Sequence, residues 1–378
     1  MILKKNNKKN VGIITIPDYD NYGNRLQNFA VMYVFKKMGY NTRTLELNDP
    51  DYPLYDERRK KIFLRKYRLF GIIFLYNLLH KGCLEAKRSL KFEKFSARYL
   101  NIEYHPTWCN SLQSKLNKDF SYFILGSDQI WNPINLKTPN LFFASFTLPS
   151  KKVCFSPSFG FTTIPKESEN IIKNGLQTID NISVREETGI NIVRDLTGKE
   201  AILLIDPTMM IDVETWNSLI KKPKRVKKSR FIVSCFLSGQ IPEYKEFIYD
   251  IAKENKLDNL CIAEKEYENE YISGPGEFLW YIKNAQLVCT DSFHAVIFSI
   301  LYSKPFILFP RYNPITKLVS ADTRVMNILK KYQFEDRLYS NINMDNVFNC
   351  NFKHVKDILD SEREKVYQYF RDCGIKNV

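Results

Sequence analysis

A short polar turn between two apolar runs carries the side chains best suited to chemistry. Four polar residues stand together there, namely Thr290, Asp291, Ser292 and His294. His294 falls in the first turn of a predicted helix, whose positive end favours an anion, and Asp291 or Ser292 is expected to cap that helix. A histidine at such a position is often only a packing residue, but a packing turn needs about one polar side chain. We therefore predict half of an active site here.

Polar side chains also follow other predicted strands. Asn24 lies in the loop after the first strand, and Asp128 and Gln129 follow the strand from Ser121 to Leu125. Arg185 ends a later strand. Because the carboxyl ends of parallel strands meet at one edge of a sheet, these residues are expected to contact a ligand there.

The elements that position these residues alternate between apolar strands and amphipathic helices, which predicts an α/β fold with parallel sheets. The length of 378 residues favours two domains. We place an N-terminal α/β domain at 1–215, with a basic helical insertion near 55–100, and a C-terminal α/β domain at 216–378. The last helix is expected to pack back on the first domain. The dinucleotide-binding pattern G-x-G-x-x-G is absent.

Cysteine usage and hydropathy exclude several protein classes. The eight cysteines show no C-x-x-C spacing, which argues against a disulfide framework or a zinc site and for reduced thiols in a cytoplasmic protein. No secretory signal and no apolar run of membrane-spanning length is visible. No cluster of metal-ligand residues is evident, so we predict chemistry that needs neither a metal nor a cofactor.

The net charge of +14 is concentrated in one region. Residues 58–98 hold 13 basic residues against two acidic ones, and the apolar run 70–79 within them could lie on a membrane without crossing it. A solvated basic helix packed on the domain is the alternative. Nucleic acid is not an expected partner, because no nucleic-acid-binding module accompanies the charge.

Five motifs occur in an order that resembles the polysaccharide pyruvyl transferase family over residues 11–311. They are Asn21-Tyr-Gly-Asn24, Gly126-Ser-Asp-Gln-Ile-Trp131, Ser183-Val-Arg-Glu186, Asp206-Pro-Thr208 and Ser292-Phe-His294. The resemblance implies two Rossmann-like βα domains facing across a cleft, as in GT-B glycosyltransferases. It also implies phosphoenolpyruvate as donor substrate and a pyruvate ketal on a sugar of a surface or capsular polysaccharide precursor as product.

The resemblance also suggests roles for the polar residues. His294 would act as the acid or the phosphate partner, and Asp128 as the base or a hydrogen-bond partner of the sugar. Family members carry Arg-Leu-His where this chain has Ser-Phe-His, so Ser292 lies at the position of a family arginine. We infer that Arg311 supplies the guanidinium group that is missing at residue 292. The assigned donor-binding residues are Arg185, Ser292 and Arg311. The acceptor-binding residues are Asn24, Gln129 and Trp131.

Two other functions remain open. The first is a GT-B glycosyltransferase with a nucleotide-sugar donor, for which the loop 274–277 is the only candidate nucleotide pocket. The second is a catalytically silent protein that binds a glycan or a membrane. For pyruvyl transfer, the acceptor could be a sugar, a nucleotide sugar or a lipid-linked glycan, and the basic region 58–98 suits peripheral contact with the inner membrane face.

Overall fold

The computed structural model describes residues 9–48, 55–134, 136, 139–224, 226, 230–312, 319–320 and 323–376. The strands are β1 Asn10–Ile14, β2 Asn41–Leu47, β3 Ile102–His105, β4 Tyr122–Gly126, β5 Lys152–Phe155, β6 Ile182–Val184, β7 Ala201–Leu203, β8 Phe231–Cys235, β9 Asp258–Cys261, β10 Leu287–Thr290, β11 Phe306–Leu308, β12 Arg311–Tyr312 and β13 Val319–Ser320. The helices are α1 Tyr22–Lys37, α2 Tyr55–Lys66, α3 Phe70–Lys81, α4 Cys83–Tyr99, α5 Asn110–Asp119, α6 Pro139–Phe142, α7 Lys166–Gln177, α8 Glu187–Thr197, α9 Val213–Leu219, α10 Pro242–Glu254, α11 Glu268–Tyr271, α12 Pro275–Asn284, α13 Phe293–Leu301, α14 Thr323–Lys331 and α15 Val355–Asp372.

The first sheet has five parallel strands in the order β3-β2-β1-β4-β5. Its central strand β1 is apolar on both faces because helices and further elements cover both sides of the sheet, and Val11 and Ile13 are fully buried. The strand order reverses between β1 and β4, and ligands of open α/β sheets bind outside the carboxyl ends of the strands at such a point. The loops that follow these two strands deliver Asn24 and Asp128.

The second sheet has four parallel strands in the order β11-β10-β8-β9. Strand β10 leads directly into α13, which carries His294 in its first turn. Strands β6 and β7 form a separate parallel pair, and Arg185 follows β6 directly. Two Rossmann-like parallel sheets whose carboxyl ends converge on one cleft confirm the predicted α/β, GT-B-like fold class.

Helices α2 to α4 form the basic insertion. Its inner side is tied to the first sheet by Arg65, whose guanidinium pairs with Glu46 of β2 at 3.1 Å and with Glu93 of α4 at 2.9 Å. Arg88 of α4 donates to the hydroxyl of Tyr22 and to the carbonyl of Tyr271. The insertion therefore contacts both halves of the molecule.

The last helix, α15, packs against elements of the first half. Phe370 lies 5.0 Å, centroid to centroid, from both Phe35 of α1 and Phe155 of β5. Arg363 donates to the main-chain carbonyls of Met209 and Ile211. None of the helices in the described ranges is both long and apolar enough to cross a bilayer.

Candidate active site

Two helix N-termini meet at the carboxyl edge of the sheets. Asn21 caps α1 by accepting a hydrogen bond from the amide of Asn24 at 3.1 Å. The first turn of α1 lies so close to α13 that a Cβ atom on Gly23 would sit 1.9 Å from Nδ1 of His294. Only glycine therefore fits at residue 23. Both helix ends present partial positive charge to the same space, which favours an anion.

Arg185 has more hydrogen-bond donors than the protein satisfies. Its Nη1 donates to Oδ2 of Asp206 at 2.9 Å, and its guanidinium carbon lies 4.5 Å from the ring centroid of Phe293. Its side chain is 1% exposed, yet Nε and Nη2 have no hydrogen-bond partner. Buried donors without partners are rare and unfavourable. Two such donors on one guanidinium indicate a ligand with two acceptor oxygens.

Asp206 organises the charges of the site. Its Oδ2 accepts from Ser127 and Arg185, both at 2.9 Å, and its Oδ1 accepts from the amide and hydroxyl of Thr208. Burial acts to raise the pKa of Asp206, but His294, Arg185 and the bonds from Thr208 hold it below its ordinary value. Asp206 therefore stays ionised and fixes the position of Arg185.

His294 is buried with a free ring nitrogen. Its Nε2 lies 3.9 Å from Oδ2 of Asp206, beyond hydrogen-bond distance, and has no hydrogen-bond partner. Burial lowers the pKa of His294, and the charges of Arg185 and Arg324 lower it further, against the opposing effect of Asp206 and Asp128. In the free protein the imidazole is therefore held neutral.

Arg324 supplies a second guanidinium to the site from α14. Its carbon Cζ lies 5.7 Å from the ring centroid of Phe293, which is also the ring beneath Arg185. With its amide oxygen turned towards Arg324, Gln129 accepts from Nη1 at 2.7 Å and from Nη2 at 3.0 Å. Gln129 thus connects the first half of the chain to a cation of the second half.

Asp128 faces the site from the loop after β4. Its main chain has a left-handed φ of 69°, and its Oδ2 accepts from Nδ2 of Asn24 at 2.7 Å. Burial acts to raise the pKa of Asp128, but Arg185, His294 and the bond from Asn24 hold it below its ordinary value. A carboxylate with a lowered pKa is a weak base, so the geometry favours the hydrogen-bonding role over the proton-accepting one.

Glu186 holds the loop that closes one side of the site. Its Oε1 accepts from the hydroxyl of Ser158 at 2.9 Å and from the amide of Phe159 at 2.8 Å. Burial raises the pKa of Glu186, against the effect of Arg185 and Arg324. Glu186 therefore fixes the geometry of this loop through the bonds that its carboxyl oxygen accepts.

The structure places the predicted site residues in two groups. Asn24, Asp128, Arg185 and His294 lie together, and Gln129 joins them through Arg324. Trp131 does not join them. It is fully buried, donates from its indole nitrogen to the carbonyl of Phe142 and stacks on Phe143. Its predicted acceptor contact is therefore wrong, because the apolar ring completes the core behind the loop.

The turn around His294 also differs from prediction at its cap. Ser292 occupies the N-cap position of α13, but neither it nor Asp291 caps the helix with its side chain. Oδ1 of Asp291 instead accepts from the amide of Leu237, and Oδ2 lies 3.4 Å from Nε of Arg311. Arg311 also donates to the carbonyl of Asp291 at 3.0 Å. In this structure Arg311 supports the turn, and its donor-binding role stays a prediction.

In the described ranges, the loop 274–277 packs against α4 and borders a small cavity. A Cβ atom on Gly274 would lie 2.9 Å from Cβ of Lys91, and the carboxylate of Glu277 pairs with Lys91 at 3.0 Å. The cavity beside the loop holds about 210 Å³, whereas sites for drug-sized ligands occupy about 300–1,000 Å³. Helix α4 therefore covers the loop that was the candidate for nucleotide binding.

Sequence reasoning missed Asp206 and Arg324 as site residues. Asp206 could have been found, since it follows a predicted strand in the Asp-Pro-Thr motif, but the sequence analysis assigned no role to this motif. Arg324 had no such signal, because it lies 30 residues beyond His294 on a helix that the sequence analysis did not predict. Taken together, the cleft offers an anion two guanidinium groups, two helix N-termini and a neutral histidine.

Comparisons with known proteins give a family match and several structural neighbours. The family model described as polysaccharide pyruvyl transferase matches residues 21–312, which include every site residue named above except Arg324. No curated protein sequence matches the chain. Among solved structures, a candidate UDP-N-acetylglucosamine 2-epimerase from Listeria monocytogenes has 10% identity and a TM-score of 0.49, over 96% of this chain and 91% of that one. Anabaena HepE (Alr3699), in complex with UDP and glucose, has 7% identity and a TM-score of 0.46, over 97% and 100%.

Proposed function

The chain belongs to the polysaccharide pyruvyl transferase family and is therefore a transferase, and from that premise we propose its reaction. It transfers the enolpyruvyl-derived group of phosphoenolpyruvate to two hydroxyls of a sugar in a surface or capsular polysaccharide precursor, as a ketal. The observation that carries the proposal is the pair of unpartnered buried donors on Arg185 beside the unpartnered Nε2 of His294.

Phosphoenolpyruvate has the chemistry that these groups need. It carries about three negative charges near pH 7, on a carboxylate and a phosphate whose oxygens accept paired N–H bonds. Nε and Nη2 of Arg185 would each bind one such oxygen. Arg324, whose guanidinium carbon lies 5.7 Å from the ring centroid of Phe293, would balance the remaining charge.

The reaction adds two hydroxyl oxygens to one carbon of the donor. A proton adds to the methylene carbon, which becomes a methyl group, and the adjacent C2 becomes cationic. One sugar hydroxyl attacks C2 and loses its proton. The bond from C2 to the phosphate oxygen then breaks, phosphate leaves, and the second hydroxyl attacks C2 with loss of its proton to complete the ketal.

His294 would supply or control the first proton. Its imidazole is held neutral in the free protein by burial and by two neighbouring guanidinium groups. A bound anion would favour the charged imidazolium, so donor binding would bring a proton to Nε2 at the point where it is used. Asp206 would stabilise the imidazolium from 3.9 Å.

Asn24, Gln129 and Asp128 would hold the acceptor. Asp128 and Asn24 share a hydrogen bond at the carboxyl edge of the first sheet, where their remaining lone pairs and donors suit sugar hydroxyls. Because the pKa of Asp128 lies below its ordinary value, we assign it a hydrogen-bonding role and not that of the base.

Equilibrium binding separates this proposal from a glycosyltransferase. Phosphoenolpyruvate is expected to bind the full chain, and UDP, GDP and CDP are expected not to compete with it. Weakened donor binding in Arg185→Ala, with unchanged binding in the surface variant Arg194→Ala, would support the assignment. Tight binding of a nucleoside diphosphate with no binding of phosphoenolpyruvate would replace pyruvyl transfer by glycosyl transfer.

The basic insertion would bring this reaction to the cytoplasmic face of a membrane. Its helices present many basic side chains. Each basic residue near an anionic lipid surface contributes about 1 kcal/mol to the free energy of binding. Co-sedimentation with anionic vesicles is expected to fall when Arg58, Arg59, Lys60 and Lys61 are neutralised together. If the variant with all four substitutions co-sedimented as much as the native chain does, this placement would be contradicted.

A further inference from the structure

Two acidic residues flank Asn24 at the carboxyl edge of the first sheet. Nδ2 of Asn24 donates to Oδ2 of Asp128 at 2.7 Å, and Oδ1 of Asn24 accepts from the main-chain amide of Asp18 at 3.2 Å. Nε of Arg25 also donates to Oδ1 of Asn24, at 3.0 Å, which holds the side-chain amide in this orientation. Asp18 and Asp128 are therefore fixed on either side of one side chain, in the loops after β1 and β4.

The carboxylates of these two residues have different partners. Asp128 accepts from the main-chain amide of Gln129 at 2.8 Å and from Asn24 at 2.7 Å. Asp18 forms no ion pair with a residue of the described ranges, and within those ranges its carboxylate accepts one hydrogen bond, from the main-chain amide of Asp20 at 2.9 Å. Asp18 therefore keeps carboxylate lone pairs that the protein does not use.

The surroundings also move the pKa values of the two carboxyl groups apart. Burial raises the pKa of Asp18, against the opposing charge of Arg25. Burial acts to raise the pKa of Asp128 as well, but the charges of Arg185 and His294 hold it below its ordinary value. Neighbouring carboxyl groups that are separated in this way divide acid–base roles, and the group with the higher pKa is the better proton acceptor.

Asp18 lies where a bound hydroxyl can reach it. It lines a cavity of about 500 Å³ that is formed by the β1–α1 loop, α2 and α3, and Asn77 of α3 lines the same space. Oδ1 of Asn77 is buried and has no hydrogen-bond partner. Buried acceptors without a partner are rare and indicate a donor from a ligand or water. The cavity therefore presents unused acceptor atoms to a hydroxylated ligand on two of its walls.

We propose that Asp18 is the general base that accepts the proton of the attacking sugar hydroxyl. The proposal rests on pyruvyl transfer as the reaction and adds the base that Asp128 does not supply. The hydroxyl lies between the free carboxylate oxygen of Asp18 and C2 of the donor, while Asp128 and Asn24 hold the sugar by hydrogen bonds. Asn24 thus fixes the distance between the residue that binds the sugar and the residue that takes the proton.

The proton transfers balance with the groups already assigned. His294 gives its proton to the methylene carbon, and Asp18 takes the proton of the first hydroxyl as that oxygen bonds to C2. When the bond from C2 to the phosphate oxygen breaks, the proton on Asp18 passes to the phosphate, which leaves as hydrogen phosphate. The proton of the second hydroxyl returns His294 to the imidazolium form. Both side chains therefore end the cycle as they began it, and no further reactant is needed.

The test measures phosphate release by the full chain, with the acceptor that the native chain uses best. Asp18→Asn is expected to lower kcat by about a hundredfold or more, which is the contribution of a positioned general base, and to leave the affinity for phosphoenolpyruvate unchanged in calorimetric titration. Asp20→Asn is the matched control in the same loop. The side chain of Asp20 is 52% exposed and lies 3.7 Å from Lys81, so this variant is expected to turn over as the native chain does.

Two further readouts separate a base from a residue that only supports the loop. The kcat of the native chain should fall as the pH decreases through the pKa of Asp18, because only the ionised carboxylate accepts a proton, and Asp18→Asn should lack this fall. Formate should raise the kcat of Asp18→Ala by supplying the missing carboxylate, and it should not raise that of the native chain. Unchanged thermal unfolding midpoints would show that the variants fold.

Three results would overturn the assignment of Asp18. Asp18→Asn could keep the native kcat, its kcat could fall at low pH as that of the native chain does, or Asp20→Asn could lose as much turnover as Asp18→Asn. Any of these results in a native chain that binds phosphoenolpyruvate and releases phosphate would remove Asp18 and leave pyruvyl transfer standing. A native chain that releases no phosphate with any acceptor would remove both.

Discussion

Arg185 has two donors that the protein itself does not use, and this is the residue-scale basis of the proposed function. The guanidinium is fixed by Asp206 on one edge and by the ring of Phe293 on one face. Its remaining donors are therefore held in place before any ligand arrives. A fixed fork binds a carboxylate or phosphate with little further loss of side-chain entropy.

Arg185→Lys is expected to weaken phosphoenolpyruvate binding by about tenfold or more, because an ammonium group keeps the charge but loses the paired donors. Calorimetric titration measures the change. Arg194→Lys on the exposed face of α8 is the control and should bind as the native chain does. Native affinity in Arg185→Lys would show that only the charge at residue 185 matters.

The protonation of His294 should make donor affinity depend on pH. Its pKa is lowered in the free protein, and a bound anion raises it. The contribution of His294 to donor affinity is therefore complete below the pKa of the free protein and disappears above the pKa of the complex. Titrations across this range should show a steeper loss of affinity with rising pH for the native chain than for His294→Ala. Parallel curves for the two proteins would remove His294 from proton transfer.

The sequence predicts that a residue belongs to the site only where a local sequence pattern places it at the end of a strand. Arg185 and His294 each follow a buried strand, so their place at the carboxyl edge could be predicted. Trp131 stands in the same kind of loop, but an indole can turn into the core, and nothing in its neighbours indicates the direction. The pairing of Arg311 with Asp291 depends on how two separate segments meet, which no local pattern encodes.

The elements act by bringing two helix ends into contact. Helix α1 can approach α13 only because residue 23 has no side chain. Gly23→Ala is expected to displace the ring of His294 and to reduce turnover by about a hundredfold, since small misplacements of a catalytic group have effects of that order. Phosphate-release kinetics measure turnover, and chemical denaturation measures stability.

Gly71→Ala is the matched control for that variant. Gly71 also lies in the first turn of a helix, and a Cβ atom there would have no heavy atom within 4 Å. This substitution is expected to raise the free energy of unfolding by about 0.5–1 kcal/mol and to leave turnover unchanged. Native turnover in Gly23→Ala would mean that His294 does not need its observed position.

Strands and helices could be predicted where the spacing of apolar residues indicates their type and turn residues indicate their ends. The first strand and the helix that carries His294 in its first turn are both present, as β1 and α13. The caps were not predicted correctly, because Oδ1 of Asp291 accepts from the amide of Leu237, in the turn after β8, and does not cap its own helix. Tertiary partners override local capping preferences in such cases.

Across the whole molecule, the C-terminal helix contributes to the core of the first half. Phe370 is fully buried between Phe35 and Phe155. Phe370→Ala is expected to lower the free energy of unfolding by about 3–5 kcal/mol, because it leaves a cavity in a packed core. Lys365→Ala on the exposed face of α15 should change it by less than about 0.5 kcal/mol. Similar urea midpoints for both variants would mean that α15 is not part of the core.

The same scale explains why Arg324 could not be predicted. It reaches the site on α14, which lies far from β4 in sequence yet contacts Gln129 in space. The parallel sheets and the cleft follow from alternating local patterns, whereas the side chains that cross the cleft depend on how the two halves are placed. That placement is fixed by dispersed contacts such as those of Arg88 and Arg363.

The most direct test of pyruvyl transfer is phosphate release from phosphoenolpyruvate with a panel of sugar, nucleotide-sugar and lipid-linked glycan acceptors. The native chain is compared with His294→Ala and Arg185→Ala. We predict release that depends on the acceptor and that both substitutions abolish. A native chain that does not bind phosphoenolpyruvate, and releases no phosphate with any acceptor, would contradict the account.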